Sequence, residues 1–247
     1  MNRFANPSVV CEGWYAVGSA RAIRRGKIKR ASIGNREIAL YRGAVLERWG
    51  LAWVWAGESP AYELPLPEPK NRAHVLRLPT QRIACHPHVV LGNGLDVTHV
   101  IGVHRFHFEG QPAVEAEPPH RLSVQVRAHF NTTLMRRILG LAGRTARWRF
   151  TNIGPSLAWV KVESPTPFEL LWAARPLPDG GCATNTLFFL PRWSALLRAV
   201  PMMIATTWAD RRVLEGLRFR PGFVASDAIF ARYARLVEGL PEWSSSC

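Results

Sequence analysis

The sequence predicts an α+β fold in which a twisted antiparallel sheet wraps a long C-terminal helix. Two patterns indicate this fold. Apolar and polar residues alternate through the middle of the chain, and apolar residues recur at helical spacing in its last third. With 247 residues, 47% of them hydrophobic, the chain is long enough to bury one sizeable core.

The first elements are short strands. Residues 11–43 predict strands separated by Gly and Asn turns, with REIALYR as a well-alternating strand. The following segment PAYELPLPEPK, residues 60–70, is so rich in proline that it cannot form a helix or a central strand. We therefore expect a boundary there, between a small β part at 1–59 and a larger domain at 60–247.

Antiparallel strands dominate the stretch after this connector. RLSVQVRAHF at 121–130 alternates, LAWVKVES at 157–164 is similar, and residues 168–190 predict a hairpin that turns at Asp179 and the two glycines after it. TTLMRRILGLAG, residues 132–143, predicts a short helix or an insertion on the substrate side. Helices are expected from Ser194 to about Leu217 and from Asp227 to Val237.

The chemistry is expected at Asn93, Asp96, His99 and His104, which stand as N-x-x-D-x-x-H-x4-H. Asp96 and His99 are three residues apart and so share one face of a helix. His104 can converge with His99 only if the helix bends or ends between them, and Gly102 is a suitable place. Two imidazoles and one carboxylate with open positions suit a non-heme Fe(II) site that activates dioxygen.

A third ligand must come from elsewhere in the chain. The segment TTWADRRVLEGL, residues 206–217, carries Asp210 ahead of apolar residues at helical spacing, so this carboxylate can face the core. The alternative is that Asp210 is an acid at a helix N-terminus, favoured there by the helix dipole. Glu215 and Asp227 are weaker candidates for the same ligand.

Together these two segments resemble the iron-binding segments of Rieske non-heme iron oxygenases. The resemblance implies that His99, His104 and Asp210 bind Fe(II). It also implies that Asp96, with Asn93 of the same motif, hydrogen-bonds the first ligand histidine and bridges to an electron-donating cluster. The simpler alternative is that Asp96 only orients His99.

The resemblance also implies a helix-grip catalytic domain whose pocket walls include Phe106, Phe108 and Trp172. In the family, a strand leads into the iron-binding helix, so VVLGN at 89–93 is expected to be a strand. His107 is a spare neighbour of the ligands. A single histidine on an apolar face is usually a core residue, so no role is assigned to the remaining isolated histidines.

The N-terminal part departs from the family pattern. IALYRGAV runs directly into LERWGLAWVWAGE, where the family has two cluster-binding loops between such segments. A Rieske cluster requires a C-x-H and a C-x-x-H motif, and only Cys85 with His88 supplies either half. We therefore expect residues 1–59 to be a truncated remnant of a Rieske-type domain without a [2Fe-2S] cluster, and Cys85 to be structural.

The function implied by the resemblance is that of a Rieske-less terminal oxygenase. Fe(II) and dioxygen would hydroxylate, demethylate or oxidatively cyclise an apolar or aromatic small molecule, with electrons from a separate Rieske or ferredoxin protein. The donor could also be a Rieske-containing oxygenase subunit, and a homotrimer or hetero-oligomer is expected. Three alternatives stay open: a non-catalytic partner subunit, a helix-grip module that binds a lipophilic ligand, and redox-neutral iron catalysis.

The net charge of +14 raises the question of a polyanionic partner. Almost all of this charge is Arg, and the densest cluster, RAIRRGKIKR at 21–30, lacks a nucleic-acid fold signature. We therefore expect an acidic electron-transfer protein as the partner and no nucleic acid.

The compartment is expected to be the cytoplasm. The N-terminus has no apolar run typical of a signal peptide, and four scattered cysteines suit a reducing environment. The most apolar segment, Ala195 to Trp208, is too short to cross a bilayer and predicts a core helix beside a lipophilic substrate.

Overall fold

The structure of the protein is a computed structural model. It describes residues 3–6, 8–72, 74–117, 120–130, 137, 140, 143–215, 217 and 222–244. The α+β fold class is confirmed. Fourteen strands lie in the described residues: β1 Gly13–Ser19, β2 Lys29–Ile33, β3 Arg36–Leu40, β4 Leu46–Arg48, β5 Leu51–Ala56, β6 His74–Arg77, β7 Gln81–Ile83, β8 Phe106–Phe108, β9 Ala113–Glu117, β10 Arg121–Phe130, β11 Thr145–Ile153, β12 Leu157–Ser164, β13 Phe168–Pro176 and β14 Cys182–Leu190.

The α-helices given in full within the described residues are α1 Pro87–Gly92, α2 Val97–Gly102, α3 Trp193–Glu215 and α4 Ala228–Gly239. Helices α3 and α4 agree with the two predicted C-terminal helices to within about two residues. The predicted helix or insertion at 132–143 falls almost wholly outside the described residues. No described helix is long and apolar enough to span a membrane.

The largest sheet has nine antiparallel strands. Its main path runs β6-β14-β13-β12-β11-β10-β8, while β7 pairs with β14 and β9 pairs with β10. Successive strands from β10 to β14 are neighbours, as expected where short turns join antiparallel strands. A three-stranded sheet, β1-β5-β4, and a two-stranded hairpin, β2-β3, form the N-terminal part.

The two parts share a hydrophobic cluster. Leu51 and Trp53 of β5 pack with Leu157, Trp159 and Phe189 of the large sheet, and all five side chains are buried. Every residue of β14 is therefore buried, because one face of this strand packs on the small sheet and the other faces the main core. The boundary between residues 59 and 60 stays a prediction, as does the helix-grip form.

The proline-rich connector is held to the large sheet by one buried acid. Glu169 in β13 is 2% exposed and accepts hydrogen bonds from the Trp159 indole at 2.7 Å, the Asn71 amide at 2.7 Å and the Glu68 backbone N–H at 2.8 Å. A buried carboxylate needs such donors to offset its desolvation. Connector and sheet therefore form one packed unit at this point.

The prediction of a strand at 89–93 is wrong. The segment is helical, since Pro87 occupies the first turn of α1 and the His86 ring nitrogen Nδ1 accepts the His88 backbone N–H at 3.3 Å. Proline suits the start of a helix, and a side-chain acceptor at the N-cap satisfies a free backbone donor. A single 3₁₀ turn, Asn93–Leu95, then leads towards α2.

Candidate metal centre

Asp96 lies immediately before the short helix α2 and not on its face. Its backbone is extended, and its Oδ1 accepts the His99 backbone N–H at 2.9 Å, so it is the N-cap of the helix. The sequence interpretation of two side chains on one helical face is therefore wrong for this residue. The observed contact of Asp96 is to the backbone of His99, and no hydrogen bond joins it to the His99 ring among the described residues.

Helix α2 ends at Gly102, which allows the second histidine to converge with the first. The chain reverses there, and Arg105 adopts a left-handed backbone conformation with φ of 53°. As a result the His99 and His104 rings have centroids 4.9 Å apart, and their Nε2 atoms are separated by 3.1 Å.

Asp210 reaches the same point from helix α3. Its Oδ1 lies 2.7 Å from the Nε2 of His99 and 2.7 Å from the Nε2 of His104. Asp210 lies more than four turns from the start of α3, so the alternative of an acid at a helix N-terminus is wrong. The structure thus brings together the two predicted histidines and the predicted acid. Asp210 is 111 residues from His99 in sequence.

The environment of Asp210 is buried yet keeps the acid ionised. Burial raises the pKa of its carboxyl, but hydrogen bonds from His104 and His99 outweigh this and hold the pKa below its ordinary value. The side chain is 7% exposed, and those of His99 and His104 are 5% and 9% exposed. A negative charge is therefore held beside two imidazoles and away from bulk water.

The donor set fits a divalent metal ion of the first transition series. Two ligand atoms bound at right angles, each about 2.1 Å from such an ion, are about 3 Å apart. The three atoms here are separated by 2.7, 2.7 and 3.1 Å. The Asn93 amide nitrogen lies 3.2 Å from the Nε2 of His99, so Asn93 borders the same point.

An apolar cavity of about 130 Å³ opens beside these three residues. An apolar cavity of similar size, roughly 150 Å³, can hold benzene. The side chain of Thr206, one of its few polar members, donates to the Met202 carbonyl at 2.9 Å. The lining residues are Asn93, Gly94, His99, Val100, His104, Phe106, Phe130, Ala146, Trp148, Phe150, Val160, Val162, Leu170, Trp172, Met202, Met203, Thr206 and Asp210.

Two of the three predicted wall residues line this cavity. Phe106 and Trp172 are among the lining residues, whereas Phe108 is not. The ring of Phe108 packs instead on Trp148, with centroids 6.3 Å apart. Phe106 and Phe108 are two residues apart in a strand, yet only Phe106 reaches the cavity.

The sequence predicted that this helix lies beside the substrate, but it did not identify which residues of α3 line the pocket. Met202, Thr206 and Asp210 follow one another at intervals of four residues, so they lie on one face of the helix, and all three line the cavity. This spacing is visible in the sequence once Asp210 is taken as facing the core.

A second pair of histidines, half-buried His86 and buried His88, follows Cys85 directly. The His88 ring stacks on Phe4 at 5.5 Å and contacts Tyr233 at 6.4 Å. Among the described residues, only His99, His104 and Asp210 form a group of three potential ligands close enough to hold one metal ion.

The fold was compared with solved structures. Dicamba monooxygenase bound to dicamba superposes with a TM-score of 0.65 at 15% identity, covering 92% of this chain and 96% of that one. The chain has the fold of dicamba monooxygenase. NdmB of Pseudomonas putida CBB5 matches with a TM-score of 0.60 at 10% identity, covering 90% of this chain and 88% of that one.

An oxygenase of carbazole 1,9a-dioxygenase, solved in complex with ferredoxin, also has this fold. Its TM-score is 0.60 at 13% identity, with 93% of this chain and 91% of that one covered. No family model matches the sequence, and no curated protein matches it. At these identities the likeness establishes the fold alone.

Proposed function

We propose that this chain is the terminal component of a Rieske-type oxygenase and binds Fe(II) through His99, His104 and Asp210. The observation that carries the proposal is the convergence of two imidazole nitrogens and one carboxylate oxygen within 3.1 Å of each other at an apolar cavity. Two histidines and one carboxylate with open positions suit non-heme Fe(II) oxygenases. A dicamba monooxygenase of the same fold contains non-heme iron.

The bound iron would supply the position at which dioxygen is activated by electrons from outside the chain. The chain's own residues define what happens around that position. Asp210 contributes the negative charge, and Asp96 accepts the His99 backbone N–H and so fixes the start of the helix that carries this histidine. Phe106, Trp172 and the other apolar walls exclude water and orient an apolar or aromatic substrate beside the ligands.

We further propose that electrons enter beside Asp96, from a separate Rieske or ferredoxin protein or from a Rieske-containing oxygenase subunit. His99 lines the apolar cavity and also a second groove, which Asp96, Leu214 and Phe223 border on the outer side. A donor seated at this groove would approach His99 without entering the substrate cavity. The oxygenase–ferredoxin complex of carbazole 1,9a-dioxygenase is a solved example of such pairing in this fold.

The sequence supports a separate donor because it lacks the motifs for a cluster of its own. Only Cys85 precedes a histidine at a Rieske spacing, and the segment where the family carries its cluster loops is the 3₁₀ turn Arg42–Ala44 between β3 and β4. Residues 1–59 are thus proposed as a remnant of a cluster domain. Cytoplasmic location remains a prediction from cysteine use and the N-terminal sequence, and a homotrimer or hetero-oligomer remains a prediction of the resemblance.

The first experiment is anaerobic loading of the purified protein with Fe(II), followed by removal of free metal and metal counting. We expect about one iron per chain in the wild type. In His99→Ala and in Asp210→Ala, iron affinity should fall by at least about a hundredfold, because each change removes a ligand. His107→Ala is the matched control, since the His107 side chain is exposed on β8 and is not in the group of three ligand residues, so it should keep full loading.

A second measurement adds a small aromatic substrate and a Rieske or ferredoxin donor. Turnover that requires the donor supports the oxygenase, while turnover without any donor would favour redox-neutral catalysis. Wild-type protein that holds no iron would overturn the assignment and leave a partner subunit or a module that binds a lipophilic ligand. Equal iron loss in His107→Ala would show that the losses reflect unfolding.

A further inference from the structure

The outer face of helix α3 carries an exposed apolar stripe, which consists of Trp193, Leu197, Pro201, Ile204 and Trp208. Successive members are four, four, three and four residues apart, which places them on one side of an α-helix. Trp193 and Trp208 are each 57% exposed, Leu197 is 71% exposed and Ile204 is 49% exposed. A contiguous exposed apolar surface of this kind marks an interaction site.

The stripe has no role in the core or in the pocket. Met202, Thr206 and Asp210 face the cavity from the opposite side of the same helix. The sequence expectation of a core helix therefore holds for the inner face of α3 and is wrong for the outer one. Leaving two tryptophans and two aliphatic side chains in water is unfavourable, so an occupant that covers them would stabilise the helix.

The charge around the stripe is positive at both ends. Arg192 precedes it and is exposed, and the Arg212 guanidinium stacks 3.8 Å over the Trp208 ring at the other end. Between residues 193 and 214 the sequence contains a single acid, Asp210, and its carboxylate is buried towards the cavity. At the N-terminal end, Arg192 also borders a groove next to Leu197, together with Lys70, whose charge is paired with Glu68 at 3.0 Å.

This charge pattern disfavours a second copy of the chain as the occupant. An antiparallel pair of α3 helices would place Arg192 of one copy near Arg212 of the other, and a parallel pair would place identical arginines together. Like charges at an interface oppose association, and the whole chain carries a net charge of +14.

We propose that the α3 stripe binds the surface of an anionic lipid membrane. Tryptophans at the ends of an apolar face prefer the boundary between headgroups and acyl chains, and arginines beside them bind lipid phosphates. The stripe spans about 22 Å along the helix, long enough to lie flat in that boundary. This membrane binding does not require iron, so its test is independent of the test of the proposed oxygenase function.

The experiment is co-sedimentation of the full chain with vesicles of phosphatidylcholine alone and of equal parts phosphatidylcholine and phosphatidylserine. We expect binding to the mixed vesicles that weakens with salt, and much less binding to phosphatidylcholine alone. In the double variant Leu197→Gln, Ile204→Gln the apparent affinity should fall by at least about tenfold, because two buried aliphatic side chains are lost from the lipid phase.

Leu66→Gln is the matched control, since Leu66 is 53% exposed in the proline-rich connector and away from α3. It should bind vesicles as the wild type does, and circular dichroism should show unchanged folding for both variants. Unchanged binding of the double variant, equal loss in Leu66→Gln, or no binding to anionic vesicles overturns the proposal. So does a dimer in light scattering that the double variant dissociates, because the stripe would then hold a second copy.

Discussion

Two pairs of histidine rings lie within residues 86–104, with centroids 4.8 Å apart in one pair and 4.9 Å apart in the other. His99 and His104 turn their Nε2 atoms towards a carboxylate oxygen at the edge of a cavity. His88 lies beside Phe4 and Tyr233 of the main core, and the His86 ring packs on His88. The distance between two imidazoles is thus nearly the same at a candidate metal site and at a structural site.

What differs is the charge and the access around each pair. Burial lowers the pKa of His86 to about 4 and that of His88 well below its ordinary value, so both are neutral in the folded protein. At the other pair, Asp210 provides the negative charge that a cation needs. The comparison teaches that a distant carboxylate and an open cavity, more than histidine spacing, make one pair a candidate metal site.

The largest expected effect that tests this comparison is the pH dependence of the free energy of unfolding of the metal-free protein. The pKa of His86 is about 4 in the folded protein, against 6.5 for the free side chain. Between these two pH values the unfolded chain binds a proton that the folded protein does not. The contribution of His86 to the free energy of unfolding is therefore complete above pH 6.5 and decreases as the pH falls. His86 should contribute a loss on the order of 3 kcal/mol by pH 4.

The measurement is urea unfolding of the metal-free protein from pH 7 to pH 4 in wild type and His86→Asn. Asparagine keeps an N-cap acceptor for α1 but does not titrate. The variant should therefore show the shallower decline, and it should still load iron as the wild type does. A parallel decline in both proteins, or lost iron in His86→Asn, would mean that the two histidine pairs are not distinct.

The next effect sharpens the difference between the packing around Phe4 and the apolar cavity. A methyl group added at Gly94 would lie 2.2 Å from the ring of Phe150, a cavity wall, and one added at Gly92 would lie 2.3 Å from the ring of Phe230, beside Phe4. Each substitution to alanine should cost about 2 kcal/mol of stability, because a packed ring must move.

Only Gly94→Ala should also change ligand binding, since only Phe150 lines the cavity. Thermal unfolding and binding of a small aromatic probe check both expectations. Gly102→Ala is the control, because nothing lies within 4 Å of a methyl group added there. Equal effects of Gly92→Ala and Gly94→Ala on binding of the probe would indicate that the region around Phe230 and the cavity form one continuous space.

The smallest effect concerns Asp96. Asp96→Ala removes the N-cap of α2 and should cost about 1 kcal/mol of stability, whereas Asp96→Asn keeps a capping oxygen and should cost much less. If Asp96 also mediates electron entry, donor-dependent turnover should fall in Asp96→Asn although its stability and iron content do not. Unchanged turnover in Asp96→Asn would mean that the only role of Asp96 is to cap helix α2.

Local patterns in the sequence predicted much of the fold. The strands at 121–130 and 157–164 coincide with β10 and β12, because alternation directly reflects which side chains face the core. The prediction of a strand at 89–93 was wrong, because a short apolar run fits a strand or a helix equally well. There the proline and the N-cap histidine before it favour the helix, which agrees with α1.

The sequence by itself determined the candidate residues and the absence of Rieske cluster motifs, since both depend on residue types and spacing. Only the tertiary structure decided that Asp210 meets His99 and His104, that Phe106 but not Phe108 faces the cavity, and that one face of α3 stays exposed. The physical reason is that these properties depend on how α2, α3 and the large sheet pack against each other. Spacing along a chain limits neighbours within one helix or strand, but it does not specify which elements meet.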